Sequence, residues 1–333
     1  MAKDVKVVIK LAKASANVSF GMPLILVMGS GDDAVVAYKE VSSLEEVVTA
    51  GFANTTDAYK AAQLLFMQNN SPSRIAVCGA KGNAVDALPT ILGEDWRQLI
   101  VIGDDSIEAI SDYIEACGKK CLYFCHTDST DTAKVREAIS GNERTVMVVY
   151  DSTDATCPEA AVVGATAGLD AGSFTYKNMI LKGVTAQEYS DAEVEAFHEG
   201  HAITILKKAG DIVTSEGITA SGEYVDIVDT KDYIIQQIEH QSQSLLNRTN
   251  KLPYDNRGIA SLEGVVLSVL TDAASMGMIA KTEDGNYDYS VAFGTRSECA
   301  ASDISTRVYN EGKFSFALAG AIHNATVSGT IIA

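Results

Sequence analysis

The chain has 333 residues, 47% of them hydrophobic, only five prolines, and a formal charge of −18. That length exceeds one ordinary domain, so two cores, or one core with a sizeable insertion, are expected. The acidic balance excludes general nucleic-acid binding, which needs clustered Lys and Arg. No run reaches the roughly 18 uncharged apolar residues of a membrane span. Lysines interrupt the apolar run near the N-terminus and no small-residue cleavage site follows it, so no secretory signal is expected and the chain reads as a soluble protein made in a cytoplasm.

In chain order, the first predicted element is a strand over residues 5–11, with Val5, Val7, Ile9 and Leu11 on one face and Lys6 and Lys10 on the other. Lys3, Lys6, Lys10 and Lys13 against Asp4 alone make this segment basic. A terminal strand with one apolar face and free backbone edges can add to a neighbouring copy's sheet, and a basic arm suits an acidic copy. The alternative is a sheet closed within the chain, its lysines ordinary edge-strand residues. Residues 22–28 read as a buried strand ended by the turn at Gly29-Ser30-Gly31. Ser42 with Glu45 reads as a capping box opening a helix over 44–52, and a second helix is expected over 57–68, followed by a strand over 74–78.

From 86 to 171 strands and helices alternate, the mark of a parallel or mixed α/β layer. Strands are predicted at 99–102, 121–126 and 145–150, helices at 107–117, 133–139 and 158–169. Ser190 and Glu193 form another capping box, for a helix to about residue 202; a strand follows at 203–206. Residues 210–226 read as a hairpin with Gly217 and Gly222 at turns. Two long helices are expected over 231–248 and 258–276, then strands at 287–293 and 313–319. The chain closes as it opens, with Ala325, Val327, Gly329 and Ile331 sharing one face of a strand-like alternation.

Several motifs point to chemistry and fail on context. Gly29-Ser30-Gly31-Asp32-Asp33-Ala34 has the G-x-G-x-x-A spacing of a dinucleotide fingerprint, but pyrophosphate binding needs a helix N-terminus directly after the glycines. Here residues 35–38 read as strand, and two aspartates would repel phosphate. His198-Glu199-Gly200-His201 lacks the spacing of a zinc-hydrolase helix and reads as an ordinary helix end, a metal shared by the two His being the alternative. The six cysteines are too few and too scattered for a disulfide scaffold, and Cys117, Cys121 and Cys125, although four residues apart, run into a strand. Trp96 reads as a packing residue. Gly164, Gly168 and Gly172 make a smooth face for another backbone, at an interface or in a tight internal turn. No catalytic, metal or cofactor site is expected.

A series of short motifs resembles successive stretches of the contractile-tail sheath family. They are Phe20-Gly21-Met22-Pro23-Leu24, Tyr59-Lys60-Ala61-Ala62, Glu143-Arg144-Thr145, Pro158-Glu159-Ala160-Ala161, Ser221-Gly222-Glu223-Tyr224-Val225-Asp226, Lys251-Leu252-Pro253-Tyr254 and Leu318-Ala319-Gly320-Ala321-Ile322-His323. The early Pro-Gly-Val-Tyr signature of many other sheaths is missing. The resemblance implies a mixed α/β (α+β) fold: a linking arm at 1–20, a core domain at 21–85 and 176–320, an inserted α/β module at 86–175, and a second arm at 321–333. It implies a non-enzymatic subunit of a virion or phage-tail-like particle, assembled in a bacterial cytoplasm and polymerised as six-membered rings around an inner tube, with baseplate and tail terminator proteins as further partners. The arms of neighbouring subunits would add strands to a third, with Val5, Val7, Ile9, Leu11, Ala325, Val327, Gly329 and Ile331 as the contacts. A static shell or tube protein and a small-molecule enzyme on the α/β module are the rival classes. Ordering an arm costs about 1–2 kcal/mol per residue and each strand hydrogen bond returns about 0.5–1.5 kcal/mol. Burial of four apolar side chains at roughly 1.5–3 kcal/mol each tips that balance, so an arm pairs only where a neighbour offers an apolar groove.

Overall fold

The computed structural model describes residues 20–31, 34–151 and 157–324. Its first half builds strand β1 (Met22–Gly29), β2 (Val36–Val41), helix α1 (Leu44–Ala50), α2 (Asp57–Phe66), β3 (Ile75–Lys81), α3 (Ala84–Ile91), β4 (Trp96–Ile102), α4 (Ile107–Cys117), β5 (Cys121–His126), α5 (Thr132–Ala138), β6 (Thr145–Val149) and α6 (Glu159–Thr166). The second half adds α7 (Asp191–Glu199), β7 (Ile203–Lys208), β8 (Asp211–Thr214), the long helices α8 (Val225–Arg248) and α9 (Asn256–Ser275), β9 (Tyr289–Phe293), α10 (Ala301–Thr306) and β10 (Gly312–Phe316).

Eight strands form one sheet in the order β2-β3-β1-β4-β5-β6-β7-β8. The six inner strands are parallel, and an antiparallel strand closes each edge. Strands buried on both faces carry near-continuous apolar runs, and alternate residues serve opposite faces. On one face Ile25, Val77, Ile100, Tyr123, Val148 and Ile205 pack under α1, α2 and α6; on the other Leu24, Leu26, Leu99, Leu122, Phe124 and Val149 pack under α3, α4 and α7. The 86–175 segment, expected as an inserted module, supplies β4, β5 and β6 from the middle of this sheet, hydrogen-bonded to β1 on one side and β7 on the other.

A third core lies beside the sheet. Tyr233, Ile234, Val266, Val269, Leu270, Ala273 and Ala274 from α8 and α9 pack with Tyr289, Val291, Phe293 and Phe316 of the antiparallel β9–β10 ribbon. By length and composition α9 could cross a membrane, yet here its apolar stripe is spent on α8 and the ribbon.

Local chemistry explains the boundaries. Ser43, one residue later than the sequence suggests, caps α1 by accepting from the Glu46 amide at 3.3 Å, while Ser42 instead binds the Glu46 carboxylate. The expected box at Ser190 and Glu193 is present in both directions. Helix α3 was hidden by Pro89, which removes one helical hydrogen bond but is carried by the Asn83 cap at 2.9 Å and by burial of Leu88 and Ile91. The expected hairpin at 210–226 is split: β8 turns back onto β7 through Ala209 and Gly210, and residue 218 bridges residue 224 in a separate small turn. Gly164 and Gly168 make their close approach internally: a Cβ there would sit 2.7 Å from the Leu65 carbonyl and 2.4 Å from that of Asn70, which lets α6 lie directly on α2 and the loop after it.

The dinucleotide spacing has the wrong frame around it. After Gly29 the chain enters β2, antiparallel to β3, and the next helix begins only at Leu44. The strand order reverses between β1 and β4, where open α/β sheets commonly hold ligands. At this point Gly103, at φ 84°, brings the chain so near β1 that a Cβ would stand 2.5 Å from the Met28 carbonyl. Asp104 turns inward to accept the Ala84 amide at 2.6 Å.

Candidate functional site

The residues most unusual for this protein are buried charges where the sheet body meets α8. Arg97, at the start of β4, is 2% exposed and donates to Asp229 through Nη2 at 2.5 Å and Nε at 3.1 Å. Its Nη1 donates to Asp232 at 2.8 Å. Arg144 grips the same Asp232 with both terminal nitrogens, at 2.6 and 2.7 Å. Forked guanidinium–carboxylate pairs are the geometry that lets such charges be buried. Burial works to raise the Asp232 carboxyl, but the Arg144 hydrogen bonds and the two guanidinium charges outweigh it and hold it below the ordinary range.

Two features attach to this network. Phe20, the first described residue, lies with its ring 4.2 Å from the Arg97 guanidinium and edge-on to Tyr233 at 5.8 Å. On the other side of Asp229, Tyr176 donates its hydroxyl to Oδ2 at 2.9 Å. The residues flanking Tyr176 hold the far end of the described chain. Lys177 donates to Glu216 at 2.6 Å, and both are about nine-tenths buried. His323 puts Nδ1 2.7 Å from Glu216 Oε1, at an angle that a hydrogen bond does not satisfy. Its Nε2 lies 2.9 Å from the Thr175 hydroxyl, and its ring stands edge-on to Tyr224 at 4.9 Å. Leu318, Ala319, Gly320, Ala321 and His323 line a cavity of about 530 Å³ with Phe174, Tyr224, Ile227 and Met278. Thus Phe20 and Arg144 stand on one side of Asp229, and Tyr224 and His323 beyond Tyr176 on the other, residues from motifs far apart in sequence.

The third element is the ribbon. Among the described residues β9 and β10 pair only with each other, so each keeps one backbone edge without a strand partner. Val291 and Phe293 face the third core, while Phe314 on the outer strand is 42% exposed and stacks on Phe316 at 6.4 Å. Edges of this kind, with apolar side chains alongside, take an added strand. The expected contacts Val5, Val7, Ile9, Leu11, Ala325, Val327, Gly329 and Ile331 lie outside the described residues.

The other sequence candidates resolve into packing. Cys121 and Cys125 stand four positions apart on β5, about 13 Å along a strand, too far to share one ion. Burial pushes the Cys121 thiol up to about 11 and those of Cys125 and Cys157 higher still, which makes poor nucleophiles of them. His198 ends α7 and bonds the Ser215 hydroxyl at 2.9 Å, while His201 bonds the Ala220 carbonyl at 3.1 Å. Their rings are spoken for by separate partners. Trp96 is buried and donates to the Ile91 carbonyl at 2.6 Å.

Glu159 opens α6 beside Cys125 and Cys157, with its Oε2 buried and unpaired. Burial raises its carboxyl from 4.5 to about 7. The folded state therefore favours the protonated form: the penalty is absent below about pH 4.5, grows as pH rises, and is complete above about pH 7. Glu159→Gln should stabilise the subunit at pH 8 by about 3 kcal/mol at most, and by less than about 1 kcal/mol at pH 5. Thermal melts of both proteins at the two pH values check this; an equal gain at both would remove the charge as its cause.

No protein-family model matches the chain, and no characterised protein matches it by sequence. Solved structures do match. The chain resembles a sheath complex of an extracellular contractile injection system, the PVC sheath in its contracted state, with TM-score 0.76 and 14% identity over 99% of this chain and 97% of that one. A chain of the anti-feeding prophage baseplate matches with TM-score 0.75 and 14% identity over 99% of both chains. A sheath tail protein from Desulfitobacterium hafniense matches with TM-score 0.59 and 10% identity over 88% of this chain and 93% of that one. The fold, along nearly its whole length, is the one these sheath proteins have.

Proposed function

We propose that the chain is a structural sheath subunit of a contractile, phage-tail-like particle. Copies polymerise as stacked six-membered rings around an inner tube, and a change from one lattice packing to a shorter, wider one drives the tube through a target envelope. No nucleotide is consumed; the work comes from the difference between two packings of one subunit. The observation that carries this reading is the near-full-length likeness in fold to sheath proteins. It is supported by the β9–β10 ribbon, whose two open edges match in number the two strand-like terminal segments. Residues 5–11 and 325–331 of two neighbours would each add one strand to the ribbon of a third copy, giving the homopolymer its linkage. The tube, baseplate and tail terminator proteins are the further partners, and assembly takes place in a bacterial host cytoplasm.

Removing residues 1–12 tests the arm assignment. The shortened chain should remain a cooperatively unfolding subunit and yet form no linked sheath in electron micrographs. Loss of cooperative unfolding would instead make the segment part of its own core. Micrographs of triggered native particles separate the remaining rival: two sheath lengths fit contraction, whereas one axial rise before and after triggering fits a static tube.

A further inference from the structure

Among the described residues the buried charges at the seam between the sheet and α8 lie in one connected set of contacts, with Asp232 and Arg144 as a branch at Arg97 and the roots of the two terminal segments at its ends. From Phe20 it runs through the Arg97 guanidinium to Asp229, across Asp229 to the Tyr176 hydroxyl, along two backbone bonds to Thr175 and Lys177, and through Glu216 to His323. Arg97, Asp229 and Tyr176 are each at most 3% exposed, and Lys177 and Glu216 8%. In such surroundings these contacts are stronger than at a surface, and moving one member without the others strands a charge.

We propose that this chain of contacts is a truss that couples the root of the N-terminal segment to the root of the C-terminal segment, so that a displacement at either end is felt at the other. Its value rests on the sheath reading, in which both segments are held by neighbouring copies. Tension entering by one arm then leaves by the other along buried side chains, and the sheet and the α8–α9 pair rotate as one body. Tyr176 is the positioning residue on which this depends. Its hydroxyl joins the Arg97–Asp229 half to the segment that carries Thr175 and Lys177, while its ring serves the core beside Tyr123 and Phe174.

A double-mutant cycle read by hydrogen exchange on the full-length subunit tests this. The N-terminal root is reported by the Met22 amide, bonded to the Asp95 carbonyl at 3.3 Å, and the C-terminal root by the Ala319 amide, bonded to the Met278 carbonyl at 3.0 Å. His323→Ala should speed exchange at Ala319 directly and at Met22 by roughly threefold or more, the scale of modest coupling. In a Tyr176→Phe background the same change should speed Ala319 and leave Met22 where Tyr176→Phe alone put it. If His323→Ala alone fails to fold, His323→Phe keeps the ring against Tyr224 and loses both polar contacts. Tyr150→Phe is the control for mere loss of a buried hydroxyl: it removes the acceptor of the Thr185 amide, outside the path, and should leave the coupling intact. Met22 exchange unmoved by His323→Ala, or moved equally in both backgrounds, overturns the truss. A native chain that forms no sheath overturns the assembly reading and leaves the exchange result standing.

Discussion

Arg97→Met lowers the stability of the isolated subunit by about 3–5 kcal/mol, the range for removing one partner of a buried ion pair. The loss has a specific origin. Asp229 is 3% exposed and takes two of its three hydrogen bonds from Arg97; with Met in place it keeps only the Tyr176 hydroxyl. A shift of about 4–7 °C in melting temperature follows for a chain of this size. Arg97→Met with Asp229→Leu should recover most of it, because a buried pair can be exchanged for apolar residues at little cost, and what remains is the lost Tyr176–Asp229 hydrogen bond at about 1 kcal/mol. Acid should narrow the difference. The Asp232 carboxyl is held low, so its share of the stability is present above about pH 4 and goes as pH falls through its lowered folded value. A loss below about 1 kcal/mol at pH 7, or no recovery in the double variant, would show that the network is not what holds α8 to the sheet.

Much of the fold could be read from the sequence because its strands are buried on both faces and its helices carry clear stripes. Apolar runs at 22–28, 121–126 and 145–150 became β1, β5 and β6, and the box at Ser190 and Glu193 became the start of α7. Which strand lies beside which was not legible. Residues 24–28 of β1 pair with β3 on one side and with β4 on the other, and no local pattern states that a segment after residue 86 belongs in the middle of the earlier sheet. The start of α8 was misplaced by about two turns for a related reason. Val225, Val228 and Thr230 are β-branched and favour strand locally, so the helix was expected from Lys231; burial of Val225, Val228 and Asp229 against the sheet overrides that preference.

That misplacement also hid the site. With residues 225–230 read as the tail of a hairpin, Asp229 had no face to share with Asp232, although three residues apart on a helix they stand side by side and together receive Arg97. Arg144 and His323 were visible only as letters in short motifs. Their partners, Asp232 and Glu216, are 88 and 107 residues away in sequence, beyond any spacing rule. Long-range polar contacts of this kind are made by topology, which periodicity does not encode.

Val327→Asp leaves expression and the melting curve close to those of the native subunit and abolishes sheath. Alternation puts Val327 and Ile331 on one face of the C-terminal segment, with Gly329 between them where a partner backbone can approach closely. The described core does not depend on that face: His323 and Asn324 end the described chain on Thr175, Lys177 and Glu216, all within the subunit. An aspartate carried into a neighbour's apolar groove meets no partner, at a cost of several kcal/mol per arm. Ordering the arm and pairing it nearly balance without the apolar side chains, so the loss is enough to leave it undocked. The variant should therefore purify as a folded subunit that mounts no rings on tubes, scored by negative-stain microscopy beside the native chain. Val327→Ile, which keeps the face apolar, should assemble. Sheath of normal length and contraction from Val327→Asp would mean that this end of the chain is not the link between subunits.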